Sequence, residues 1–353
     1  MRFGPDDRGG VTVVVDGQPQ SHVALADPLL LAFDYVAHLA LVIDVLGPVL
    51  APKPLRCTHI GGAAMTLPRW VQATRPGSPQ IVLEPDAALT AEVRARLPLP
   101  RGHRIRVRPV GGLEGVAALA EASADVVVLD AYARGRVPAE LVTVEFFASV
   151  CRVLAPGGLL AANLADEPGL RHTARVVAGI REAGLGEVVL VASHEVFKGR
   201  RFGNVVVAAR RAGVGDRVGD ANAAGREAGA ARSRSATSTA ATPAGTQGAT
   251  VDRHLIRLMP AATGASPAGT HGAEALRRTD NSARRPRVAP AGPGGGSGSA
   301  AEALRRRVAS APLPTGIRAG RELEKWLAGA RPFTEADAEP SPAPPEAGSW
   351  RRR

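Results

Sequence analysis

Three stretches place chemically capable residues at the ends of apolar runs. Leu55–Ile60 runs into Gly61-Gly62, Gln80–Leu83 into Glu84 with Asp86 two residues on, and Val126–Leu129 into Asp130, with Tyr132 following. Glycines after a strand let a ligand approach the backbone closely, because no Cβ stands in the way. A carboxylate after the next strand suits a ribose diol, since it can accept from both hydroxyls. A nucleoside ligand is the reading that uses both features. Taken alone, the glycines are also a tight turn and Glu84 a solvated strand end; the surrounding pattern favours the ligand. A phosphate cradle is weaker, because Gly61-Gly62-Ala63-Ala64-Met65 lacks a full G-x-G-x-x-G and any P-loop lysine. Gly111-Gly112 end a third run, and Asn163, Asp166 and Glu167 a fifth.

The elements that must position these residues follow from periodicity. Val11–Val15 reads as a strand with a tight turn at Asp16-Gly17. Asp27-Pro28 opens a helix carrying Leu31, Tyr35, Leu39, Val42 and Leu46 at helical spacing, stopped by Gly47-Pro48. Strands are then expected at Leu55–Ile60, Gln80–Leu83, Arg104–Val110, Val126–Leu129, Leu159–Asn163, Val188–Ala192 and Asn204–Ala209. Helices are expected around Met65–Ala73, on to about Leu97, near Leu113–Ala122, over Pro138–Leu154 with a stop at Pro156-Gly157-Gly158, and near Leu170–Ala183. Strands and helices alternating in this way build right-handed βαβ units. The fold class is therefore α/β, a doubly wound and mostly parallel seven-stranded sheet. Only the loop His194–Gly203 separates the last two strands, so they should pair antiparallel.

Charge divides the 353 residues unevenly. Residues 1–210 hold 22 basic and 20 acidic side chains, leaving 22 and 13 for residues 211–353. That tail has 18 large apolar residues in 143, too few on average to offset the entropy of ordering it. The division is thus an N-terminal strand and turn segment (1–27), an α/β domain (28–210) and a low-complexity, disordered basic tail (211–353). The tail repeats Pro-Ala-Gly-Thr at 243–246 and 267–270 and Ala-Glu-Ala-Leu-Arg-Arg at 273–278 and 301–306, without the apolar surface of a solenoid. Ile317–Leu327 reads as a transient amphipathic helix. Arg305–Arg307 and Arg351–Arg353 read as solvated charge, and nucleic-acid binding is not expected.

Several classes are excluded. Cys57 and Cys151 are too few for a disulfide scaffold or a Cys-based zinc site, and His22, His38, His59 and His103 have no metal-ligand spacing, so no metal is expected. Met1–Gly10 lacks an apolar leader core, and Asp34, His38, Asp44 and Pro48 break up Leu29–Leu50 as a membrane span. A cytoplasmic protein without membrane contact is the expectation. Arg104, Arg106 and Arg108 alternate on a solvated strand face, and no G-x-S-x-G elbow is present.

Residues 11–210 resemble the spermidine synthase (polyamine aminopropyltransferase) family, in the manner of its shorter, divergent bacterial members. The matching residues are Asp16-Gly17 with Gln20, Phe33-Asp34-Tyr35, His59-Ile60-Gly61-Gly62, Val82-Leu83-Glu84-Pro85-Asp86, Asp130-Ala131, Glu145-Phe146-Phe147, Val153–Gly158 and Arg200–Asn204. The resemblance implies a methyltransferase-type Rossmann sheet that binds decarboxylated S-adenosylmethionine. Gly61 and Gly62 would lie against its sulfonium end, Glu84 and Asp86 would hold the nucleoside, and Asp130 would deprotonate an attacking amine substrate. Gln20 and Tyr35 would line the acceptor side, and a homodimer is compatible with the family. By their strand-end positions, and apart from the resemblance, Tyr132 and Asp166 are further substrate-side candidates, Asp166 in place of carboxylates the family has elsewhere. Departures stand at Ala63-Ala64, Gly112, Ala133 and Val36-Ala37, where the family carries other, often acidic, residues. They leave two other readings open: an S-adenosylmethionine-dependent methyltransferase, and a non-catalytic relative.

Overall fold

β1 (Arg2–Pro5), β2 (Gly10–Val15) and β3 (Gln18–Ala24) form an antiparallel three-stranded sheet at the N-terminus. This is the first part of a computed structural model that describes residues 1–7, 9–15, 17–213, 257–258, 300–309 and 315–345. Asp16 of the expected turn lies outside the described residues. Val13 and Val23 pack under this sheet against Ala64, Met65 and Val82, so it closes over the segment carrying Gly61-Gly62.

The first helix begins later than its spacing suggests. β4 (Leu30–Leu31) pairs in parallel with β12 (Arg257–Leu258), which holds the backbone extended up to Phe33. Asp27 does not cap the helix; its Oδ1 accepts from the Leu29 amide at 3.2 Å in a local turn. α1 then covers Asp34–Leu46.

The main sheet comprises β5 (Cys57–Ile60), β6 (Gln80–Leu83), β7 (Ile105–Arg108), β8 (Ala124–Leu129), β9 (Leu154–Asp166), β10 (Leu185–Ser193), β11 (Gly203–Arg211) and β13 (Thr315–Ala319). Their order is β13-β10-β11-β9-β8-β5-β6-β7. β9-β8-β5-β6-β7 are parallel, while β11 is antiparallel to both β9 and β10, as the short connection between the last two strands requires. The helices are α2 (Thr66–Thr74), α3 (Ala87–Arg96), α4 (Gly112–Ala117), α5 (Val144–Val153), α6 (Arg171–Glu182), α7 (His194–Phe197), α8 (Ala300–Val308) and α9 (Gly320–Leu327). α1, α2 and Leu304 of α8 cover one face of the sheet. α5, α6 and α9 cover the other. The expected helix over Pro138–Leu154 is interrupted, because the Thr143 hydroxyl accepts from the Phe146 amide at 3.1 Å and starts α5 there. α5 ends at Val153, ahead of Pro156-Gly157-Gly158 as expected, and these three residues belong to the start of β9.

The sheet has eight strands, not seven, and the eighth comes from the supposed tail. β13 pairs antiparallel with β10 along Val189–Ser193. The buried His38 of α1 places Nε2 3.1 Å from the Thr315 hydroxyl, and burial lowers that imidazole's pKa to about 4, so it packs as a neutral ring. The second Ala-Glu-Ala-Leu-Arg-Arg copy is the body of α8, with Ala301 and Leu304 buried. Ile317–Leu327 is not a single helix: Gly320, at φ +57°, turns β13 into α9, whose Leu323 and Leu327 reach the core.

A strap follows α9. Phe333 is 0 % exposed, lies under the Arg175 guanidinium at 3.7 Å, and accepts at its carbonyl from the Val144 amide at 2.9 Å. Farther on, the Ser341 amide donates to the Val137 carbonyl at 3.0 Å and the Val137 amide donates to the Ser341 hydroxyl at 2.9 Å. Arg136 donates to the carbonyls of Pro340 and Ser341. Disorder throughout 211–353 is therefore wrong for 300–308 and 315–345. The repeats at 243–246 and 267–270, the copy at 273–278 and Arg351–Arg353 lie outside the described residues. Among the described residues, no helix is long and apolar enough to cross a membrane.

Candidate active site

Strand register brings the sequence-singled residues into one row. Ile60 pairs with Leu83 on one side and Leu129 on the other, and Leu129 pairs with Ala162. The next residues, Glu84, Gly61, Asp130 and Asn163, therefore stand side by side at the carboxyl ends of four adjacent strands. From β5 the chain winds outward through β6 and β7, then returns to β8 and β9 on the opposite side. The β5–β8 boundary is thus the reversal of strand order where open α/β sheets bind ligands.

Gly61 is required by this neighbourhood. Its φ is +87°, and a Cβ there would stand 2.2 Å from the Asp130 carbonyl oxygen. Gly61→Ala is expected to destabilise the fold by about 2 kcal/mol or more, read as a lower melting temperature, because backbone strain and a backbone clash coincide. Gly62 is tight as well, with a Cβ landing 2.6 Å from Val82 Cγ1.

Glu84, 9 % exposed, lies beside the loop it was expected to face, but its oxygens are occupied by backbone. Oε2 accepts from the Gly62 and Ala63 amides at 3.0 and 3.2 Å, and Oε1 from the Asp86 amide at 3.0 Å. Asp86 is exposed and N-caps α3, accepting from the Leu89 amide at 2.8 Å. Gly112 has its own packing reason: a Cβ there would meet Ile60 Cγ2 at 2.5 Å.

Asp130 is half-buried, and desolvation pushes its pKa up to about 6, against the Asn163 hydrogen bond that lowers it. Asn163 Nδ2 donates to Asp130 Oδ1 at 2.9 Å. Asn204 Nδ2 donates in turn to Asn163 Oδ1 at 3.0 Å and to the Tyr132 hydroxyl at 3.3 Å. Tyr132 donates to the Asn163 carbonyl at 3.3 Å. This chain orients the Asn163 amide so that its NH2 faces the carboxylate. The Tyr35 hydroxyl donates to the Gln20 carbonyl at 3.4 Å. Burial raises the pKa of both tyrosines well above the usual phenol value, with the Asp130 charge adding to it.

Tyr35, Tyr132 and Asp130 border a cleft whose other walls are Gln20 and Ser21 of β3, Val36 of α1, the Gly61–Ala63 loop and the start of α2. Its central cavity is about 40 Å³, room for one water molecule. Among the described residues no lysine or arginine lines it, and His59, also on its wall, is held neutral by burial with a pKa lowered to about 4. One carboxylate, two phenols and amides, with no cationic side chain, make a donor and acceptor set suited to a cation.

Asp166 does not belong to this cleft. It is fully buried, and its oxygens accept from the Glu167 and Thr173 amides at 2.8 and 2.7 Å, securing the β9–α6 turn. The sequence reading assigned no site role to Asn163 or Asn204. Their signal was a polar amide inside or beside an apolar strand run, which needs a partner when buried.

No described protein family and no curated protein matches the sequence. Among solved structures, a probable spermidine synthase from Corynebacterium glutamicum shares 23 % identity over 94 % of this chain and 92 % of its own, with a TM-score of 0.64. The chain shares the fold of that probable spermidine synthase. Two further similar structures are a spermidine synthase in complex with the transition-state analogue AdoDATO (17 % identity, 60 % of this chain and 73 % of that one, TM-score 0.43) and human methyltransferase-like protein 13 in complex with SAH (21 %, 59 % and 97 %, TM-score 0.42). The strap reaches the neighbourhood of the candidate site: Ser341 holds Arg136 and Val137, in the segment that leaves Asp130 through Tyr132.

Proposed function

We propose that the protein is a spermidine synthase-like transferase that moves an alkyl group, in first place the aminopropyl group of decarboxylated S-adenosylmethionine, onto an amine. The observation that carries this reading is the row Glu84–Gly61–Asp130–Asn163 at the reversal of strand order, with Asp130 facing a cleft that no cationic side chain lines among the described residues. Gly61 and Gly62 would face the sulfonium end, and Glu84, whose oxygens fix the Gly62 and Ala63 amides, would shape the ribose side of the site. A sulfonium donor supplies a carbon activated toward nucleophiles. The chain's own groups do the rest. Asp130 takes the proton that an ammonium must lose before its nitrogen can attack. Tyr35, Tyr132 and Gln20 orient the amine, and the N-terminal sheet limits water around it.

Two other readings have specific support. A methyltransferase using S-adenosylmethionine is favoured by the single carboxylate that the described residues place in the cleft. A non-catalytic relative is favoured by the Glu84 oxygens being taken up by backbone amides and by the small cavity. Titration calorimetry on the full chain distinguishes them. Tightest binding of the decarboxylated donor is the expected result, tighter binding of the carboxylated form favours methyl transfer, and no binding of either sinks both enzymatic readings.

A further inference from the structure

The walls of the cleft define the acceptor more narrowly than a reaction class does. Asp130 is the only acidic side chain among the described residues that line it. The nearest other carboxylates are engaged elsewhere. Glu84 accepts from three backbone amides, Asp166 from two, and Asp34, next to Tyr35, has the Arg201 guanidinium as its charged neighbour. The rest of the lining pairs the hydrocarbon of Val36, Leu67, Pro68 and Val128 with the neutral polar groups of Ser21, Thr66 and His59, none of them an anion.

We propose that the acceptor is a primary amine with a single cationic group and a short apolar remainder, and not a diamine. The inference rests on the transferase reading and concerns the second partner of that reaction. In the transfer, the amine lone pair forms a bond to the propyl carbon attached to sulfur. The carbon–sulfur bond breaks with its electron pair going to sulfur, which leaves as neutral methylthioadenosine. The proton lost by the amine passes to Asp130 and then to solvent. One carboxylate is sufficient for the acceptor's proton in that sequence. A diamine brings a second ammonium, which stays charged throughout and needs its own anion once desolvated. The described lining offers that ammonium hydrocarbon and neutral polar groups instead, with no second carboxylate.

Butylamine and putrescine form the matched pair for a test, because they share a four-carbon skeleton and differ by one terminal amine. With the full chain and decarboxylated S-adenosylmethionine, methylthioadenosine release and the aminopropylated product are followed by mass spectrometry. The kcat/KM for butylamine is expected to exceed that for putrescine at least about tenfold. Independently of transfer, each amine is titrated against the protein alone while the Tyr35 and Tyr132 ring signals are followed by NMR, and the same preference is expected. Gln20→Glu, an isosteric change that adds a carboxylate to the wall, is expected to shift the preference toward putrescine about tenfold. Equal or better use of putrescine by the unchanged protein, or failure of both amines to bind or react, overturns the inference. If butylamine binds preferentially while no adenosyl donor binds, the acceptor assignment stands and the transferase reading falls.

Discussion

Replacing Asp130 with asparagine is expected to lower transfer by about 10²- to 10⁴-fold, the range ascribed to a positioned proton acceptor, while making the folded protein more stable. The two effects share one cause. Desolvation raises the Asp130 pKa from 3.8 to about 6, so the folded state binds this proton more tightly than the unfolded chain does. The stability contributed by that proton is fully present below pH 3.8 and is lost as pH rises through about 6. At pH 8 the ionised carboxylate therefore costs on the order of 2 kcal/mol, water at the cleft mouth reducing the full value. Asp130→Asn removes that cost, and a rise in melting temperature of about 4 °C at pH 8 is expected, with little change at pH 4. In the unchanged protein, transfer should fall as pH drops through about 6, because the proton acceptor is then already occupied. A variant that loses stability at pH 8, or keeps its activity, would separate Asp130 from the chemistry.

The second large effect concerns the C-terminal elements. Ending the chain at Gly213 removes β13, α8, α9 and the strap, and with them the buried Leu304, Leu323, Leu327 and Phe333. Each such side chain contributes about 1.5–3 kcal/mol when buried, and 1 kcal/mol shifts the melting temperature of a domain this size by about 2–4 °C. A fall of at least about 10 °C is expected in a thermal melt of residues 1–213 against the full chain. An unchanged melting temperature would mean that these elements only rest on the surface. Phe333→Ala in the full chain isolates one contact and should reproduce about a third of the loss.

How much of this was legible in the sequence depended on whether a signal was local. The row at the strand ends was readable because each member directly follows a short apolar run, and an α/β sheet collects such positions at one edge. The C-terminal elements were not readable from composition, since eight of the tail's 18 large apolar residues fall between Leu304 and Phe333 and an average over 143 residues hides that cluster. Asp166 and Asp130 look alike in sequence, each a carboxylate at the end of an apolar strand. Only the amides of Glu167 and Thr173, brought round by the following turn, assign Asp166 to backbone support. Asp27-Pro28 was a sound helix start locally and lost to β4 pairing with Arg257–Leu258, a partner more than two hundred residues away.

The late position of β13 in the chain has a consequence for biosynthesis. When Arg211 has left the ribosome, seven strands of the sheet can assemble, yet the outer edge of β10 lacks its neighbour until Ala319 is made. At about 5–20 residues per second, that interval lasts roughly 5–20 s. Throughout it the nascent chain presents the run Val189-Leu190-Val191-Ala192 as an open template, which a holding chaperone or a second nascent copy can capture before the native strand arrives.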